Sequence, residues 1–134
     1  MNRSDLQRLS NSRIRKAKTL LAAAEYSGAY YLAGYSVECA LKACFAKTVK
    51  RYDFPGKNRV YIHDLAELVE LAGLKAEFNA VRRANLSLQA NWVIVSTWNE
   101  ERRYSSWSRE SAESLLNAIL QRKDGVLPWL KRRW

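Results

Sequence analysis

The chain has 134 residues, 48% of them apolar, and a formal charge of +10. It is long enough to build one core without disulfide support and too apolar to remain disordered. The basic excess favours nucleic acid or an acidic partner, and with two prolines and five glycines an all-β fold has little punctuation.

Ser4-Asp5 opens a first helix that runs to about Tyr26. Leu6, Leu9, Ile14, Leu20 and Leu21 are its apolar anchors, and Arg8, Arg13, Arg15, Lys16 and Lys18 crowd its first part. Gly28 marks a corner or a close approach between helices. A second helix spans about Ala29 to Lys50 and is apolar nearly all round, which is the pattern of a buried helix. It nevertheless carries Glu38 and Lys42. Charges in such a place are costly unless they are paired or serve a site. The acid precedes the base by four residues, the better orientation for a helical ion pair. Lys47, Lys50 and Arg51 close this helix with the charge sign its C-terminus prefers.

Asp53 to Ile62 reads as a loop, with a turn at Pro55-Gly56. His63-Asp64 starts a short helix bearing Leu65, Leu68, Val69 and Leu71, and Gly73 is its C-cap. Lys75 begins a further helical stretch through Phe78, Val81, Leu86, Leu88, Trp92 and Val95. The β-branched run at Trp92 to Trp98 is read as helix, because no partner strand is visible. Asn99 to Trp107 is a polar connection. Ser108 caps the last long helix, Glu110 and Glu113 suit its first turns, and Leu115, Leu116, Ile119 and Leu120 form its apolar face. Asp124-Gly125 interrupts it, and Val126 to Trp134 is a final short turn or helix with Pro128 near its start. The expected fold is a single all-α domain over residues 1–134, an up-and-down bundle of four or five helices with 5–27 and 29–50 as the central hairpin.

Met1 to Leu9 is polar and charged, unlike a signal peptide. Glu38 and Lys42 interrupt the apolar run from Ala29 to Ala46, which argues against a membrane span. A cytoplasmic protein is expected. Cys39 and Cys44 are five apart on one helix and read as buried thiols of a reducing compartment. With one histidine and no metal-ligand spacing, neither a metal nor a cofactor is expected. Phosphate-loop and dinucleotide-binding glycine patterns are absent from the sequence.

The string AYYLAGYSVECALKA, Ala29 to Ala43, resembles the second helix of HEPN domains, small all-helical domains of prokaryotic nucleotide-handling and RNA-targeting systems. His63-Asp64-Leu65 opening a helix, and Arg103-Tyr104 following Trp98, agree in order and spacing. The resemblance implies that Arg103 lies over Glu38 and that Tyr104 contributes a hydroxyl. A guanidinium can hold a carboxylate bidentately and keep other donors for a phosphate. The implied site is therefore Glu38, Lys42, Arg102, Arg103 and Tyr104, with His63 and Asp64 as accessories. A purely structural ion-pair cluster is the competing reading of Glu38 and Lys42, and His63 is read as a helix-start residue.

Ribonucleases of the family carry an arginine and a following histidine with four to six residues between them. Here Arg102 and Arg103 are followed by no histidine, and Arg59 precedes His63 by one residue too few. The resemblance thus implies a nucleotide- or RNA-associated accessory protein. It would act with a separate nucleotidyltransferase chain in a toxin–antitoxin or defence-like pair. The alternatives are a ribonuclease with a degenerate Arg-Tyr site and a non-catalytic helical interaction module. A homodimer is also implied, and Trp92, Trp98, Tyr104 and Trp107 would supply aromatic surface for it. Independently, the basic residues with Trp98, Trp107, Trp129 and Trp134 suit a single-stranded nucleic acid, which combines positive charge with stacking planes.

Overall fold

Asn2 decides where the first helix begins. Its side chain accepts the Asp5 N–H at 2.9 Å and Asp5 accepts the Asn2 N–H at 3.0 Å, a capping box that starts α1 (Arg3–Ala22) ahead of the expected Ser4-Asp5 cap. The computed structural model describes residues 1–49 and 62–134, the side chains of Arg102 and Arg103 excepted. The expected loop from Asp53 to Ile62 lies outside those residues except for Ile62, and the second helix, expected to reach Lys50, ends at Ala46, where Lys47 is its C-cap. Helix α2 (Tyr26–Ala46) is followed by α3 (Leu65–Leu71), α4 (Lys75–Ala84), α5 (Leu86–Ser96), a 3₁₀ turn (Glu100–Tyr104), α6 (Arg109–Leu120) and α7 (Val126–Lys131). Among the described residues every regular element is helical, so the all-α class stands.

The corner between the first two helices falls before Gly28. The Ala24 N–H donates to the Leu21 carbonyl and the Glu25 N–H to that of Leu20, the paired bonds of a Schellman ending. Ala24 takes the left-handed position, at φ 62°, where glycine is the usual occupant. No sequence signal marks an alanine there; of the two readings of Gly28, a corner or a close approach between helices, the structure follows the second. Gly28 sits inside α2 and lets its first turn approach Leu20. The same ending closes α3, now with Gly73 at φ 73° as expected.

Helix α2 is the axis of the fold. Helices α1, α3, α6 and α7 and the 3₁₀ turn all pack on it, and every residue from Ser36 to Ala46 is buried. The α1 face against it is Leu6, Ser10, Ile14 and Ala17. Leu9, Leu20 and Leu21, expected as anchors, are only half-buried. Small residues take their place because the backbones come close: Ser10 Oγ donates to the Ser36 carbonyl at 2.8 Å. Helices α4 and α5 form one continuous stretch in the expectation but two helices in the structure. Asn85 leaves the helical conformation and caps α5 by accepting the Leu88 N–H. Helix α5 packs on α4, α6 and α7 and forms an outer layer.

Gly34 is the tightest point of this packing. The indole of Trp98, which is fully buried, lies flat against its backbone, and a Cβ there would overlap the ring. Tyr31 and Tyr35 flank the same indole at centroid distances of 5.9 and 6.3 Å. Gly34→Ala gains helix propensity of about 1 kcal/mol but forces a rigid ring to move in a filled core, which typically costs about 1–3 kcal/mol or more. The variant should melt several degrees below wild type. Trp98→Leu in the Gly34→Ala background should cost much less than in wild type. Additive losses in a thermal-melt cycle would show that the two residues do not touch.

Candidate functional site

The acid of α2 is the start of a polar chain that reaches the surface. Glu38 is 1% exposed. Its Oε2 accepts from Lys42 Nζ at 3.3 Å, as the four-residue spacing implied. Its Oε1 lies 2.7 Å from His63 Nδ1, and His63 Nε2 lies 2.8 Å from Glu100 Oε2. Exposure rises along the chain, with the imidazole at 27% and the Glu100 side chain at 36%. A carboxylate only accepts, so the ring donates to both acids at once when both nitrogens carry protons. His63 thereby joins α2 to the segment before α3 and to the first residue of the 3₁₀ turn.

Each part is held from its own element. Asp64 N-caps α3 by accepting the Glu67 N–H at 2.8 Å, which fixes the backbone that aims His63. Its role is therefore positional. The 3₁₀ turn is pinned at both flanks to the first half of α2. Before it, Trp98 rests on Gly34; after it, Trp107 stacks on Tyr30 with centroids 3.9 Å apart, and the Trp107 N–H donates to Ser27 Oγ at 2.9 Å. Between these anchors Glu100 turns in to His63. Arg102 and Arg103 follow two and three residues later in the same turn. Tyr104 is 78% exposed at its end.

Of the residues expected in the site, Glu38, Lys42 and His63 are thus brought together. His63 is not the simple helix-start residue expected. It lies before the cap, and its ring faces α2 rather than the first turn of α3. Glu100 was missed altogether. Its only sequence signal is that it is one of two acids directly before two arginines, and nothing in the spacing points to a histidine 37 positions earlier. Among the described residues no group of three or more His, Cys, Asp or Glu side chains is placed to hold a metal ion.

The surroundings keep neighbouring groups neutral. Burial, and then the Glu38 charge, push the Tyr35 hydroxyl up to about 12. The same causes push the Cys39 thiol up to about 12, and burial pushes Cys44 up to about 11. Both cysteines are buried and free.

The aromatic half of the expected nucleic-acid surface does not survive. Trp98 and Trp129 are core residues, Trp107 is occupied by Tyr30, and Trp134 packs against Leu6, Ala43 and Ala46. Trp92 is also buried, so the surplus aromatic surface expected for a dimer reduces mainly to Tyr104. The positive charge remains outside: Arg8, Arg15, Lys16 and Lys18 line the open face of α1. Lys131 reaches that face and donates to Asn11 at 2.8 Å. Its pKa is lowered by burial first and by Lys18 second. Among the described residues no helix is long and apolar enough to cross a membrane. No family model, no curated protein and no solved structure matches the chain.

Two outcomes follow for the site. Glu38→Gln leaves Lys42 and His63 facing an amide inside the bundle, and breaking a buried pair by removing one partner typically costs about 3–5 kcal/mol. Glu113→Gln breaks an exposed pair with Arg109, worth about 0–1 kcal/mol. Glu38→Gln should therefore melt at least about 10 °C below wild type and Glu113→Gln close to it; equal melting would place Glu38 in solvent. For the thiols, only the thiolate attacks a disulfide reagent. At pH 8 the native protein should leave such a reagent unreacted over minutes, while the protein in guanidinium releases two thiols at once. Because the folded-state values are raised, their contribution to stability is present below about pH 8.5 and is lost as pH rises toward 11–12.

Proposed function

We propose that this chain is a HEPN-class accessory protein that associates with a nucleotide or RNA and works with a separate nucleotidyltransferase chain, rather than a ribonuclease acting alone. The observation that carries the reading is the Glu38–His63–Glu100 bridge. It draws to one point the three separate stretches on which the resemblance rests: the second helix, the His63-Asp64-Leu65 helix start and the turn with Arg103-Tyr104. Spacing in the sequence does not require these to meet.

The bridge also bears on chemistry. A general base needs a free lone pair aimed at the proton that it removes. Both nitrogens of the one histidine are held by carboxylates, which suits a strut and not a proton shuttle. The turn that it supports contains Arg102 and Arg103 and ends at the exposed Tyr104, in a chain with a charge of +10. A homodimer that sets two such turns across one groove would double the positive potential there. A toxin–antitoxin or defence-like pair in the cytoplasm is the setting this reading implies.

Purified protein incubated with tRNA and with mRNA tests it. RNA should be retained in a mobility assay and stay intact, and Arg103→Ala should weaken retention several-fold without lowering the melting temperature. Cleavage that is lost in His63→Ala would overturn the reading in favour of a ribonuclease whose histidine arrives from outside the arginine motif. Absence of any polyanion binding at moderate salt would leave a helical interaction module.

A further inference from the structure

Arg82 on α4 is the best-prepared cation outside the site. Its guanidinium lies over Phe78, 4.6 Å from the ring centroid, and near Trp92 at 5.6 Å. Nη1 donates to Gln89 Oε1 at 2.9 Å, and Nη2 donates to Asn79 Oδ1. Nε is sealed from solvent with no hydrogen-bond partner. Burial lowers its pKa, the sign of a charge short of compensation. Among the described residues no carboxylate pairs with it. Lys131, over Trp134, is likewise held by an amide oxygen, that of Asn11, but it has one such partner where Arg82 has two. Two other cations in such surroundings do have a carboxylate. Lys42 has Glu38, and Arg133, stacked on Trp129, has Glu77.

The groove beside Arg82, about 350 Å³, is lined by Asn79, Arg82, Arg83, Leu86 and Gln89. Its polar inventory is one-sided. A guanidinium only donates, so it fixes both amides with their oxygens toward Arg82. Their NH₂ ends are then turned away from it as further donors. Two arginines and two amides thus line a groove that has no carboxylate in its wall. The adjoining groove on the other side of Arg82 does contain acids, Asp64, Glu67 and Glu70, and none of them pairs with it.

We propose that the α4–α5 groove built on Arg82 is an oxyanion site that takes the phosphoryl group of a phosphomonoester. Four donor groups suit a head with three terminal oxygens better than a carboxylate with two, and two guanidiniums match a dianion. The groove has room beyond the phosphoryl group, and Leu86, 80% exposed, offers its rim an apolar surface. The site stands independently of the HEPN reading, since none of its residues belongs to the resembling segments.

The test is a titration with inorganic phosphate, and in a second arm with acetate, at constant ionic strength. It is followed through the side-chain amide resonances of Asn79 and Gln89. Phosphate should shift both resonances saturably, and acetate should bind at least tenfold more weakly. Arg83→Gln should weaken phosphate several-fold, and Arg82→Met should abolish it. Because Arg82→Met also removes a stacked side chain, Asn79→Asp is the deciding variant. It supplies the missing counter-charge to Arg82, so it should melt no lower than wild type and yet lose phosphate. Unmoved resonances, unchanged binding in Asn79→Asp, or equal affinity for acetate would each overturn the proposal.

Discussion

A carboxylate at Glu38 sits where helix α2 is buried on every side, and the rest of the molecule is arranged so that it can stay there. An ionised acid taken out of water is costly unless it is paired and hydrogen-bonded. Lys42 comes from the same helix and takes one oxygen. The other is left for His63, just ahead of the α3 cap. Glu100 then holds the outer face of the imidazole, and with it the turn that follows Trp98. A single buried charge therefore sets the relative positions of three segments far apart in sequence. An apolar residue at position 38 would fit the bundle with less desolvation, but it would leave His63 and Glu100 without an inner anchor.

The helices were legible because their signals are local. Ser108, Gly73 and the apolar faces of α3 and α6 act within one or two turns, and the structure follows them. The corner between α1 and α2 has an equally local cause, an alanine in a left-handed position normally given to glycine. The burial of α2 was legible from its lack of a polar face, and the Glu38–Lys42 pair from its spacing. What depends on long-range packing was not. Neither Trp98 against Gly34 nor Glu100 against His63 has a sequence pattern, since each joins elements more than 30 residues apart. The tryptophans show the same limit: their amphipathic rings suit a surface or a core, and only the packing of α2 and α7 assigns Trp98 and Trp129 to the core.

Charge is distributed so that the two polar features of the fold differ in kind. Around Glu38 the side chains are matched, donor against acceptor, and the cluster rigidifies what it touches. Around Arg82 only neutral oxygens meet the guanidinium. The outer face of α1 is a third kind, with exposed lysines and arginines that screening by salt weakens. These differences follow from burial: a cation in water needs no partner, a buried one needs a full charge, and one half-buried on aromatic rings can be held by amides.

The imidazole of His63 fastens the 3₁₀ turn to α2, and hydrogen exchange in His63→Ala reads this most directly. Hydrogen bonds to charged groups are worth about 1.5–3 kcal/mol. Losing the two that His63 makes should speed exchange of the amides from Trp98 to Tyr104 by roughly tenfold or more, since the turn opens locally before the bundle unfolds. Amides in the middle of α2 should change much less. If exchange in the turn is unaltered, or if it rises only in step with α2, His63 is not the fastening and the bridge does not organise the site.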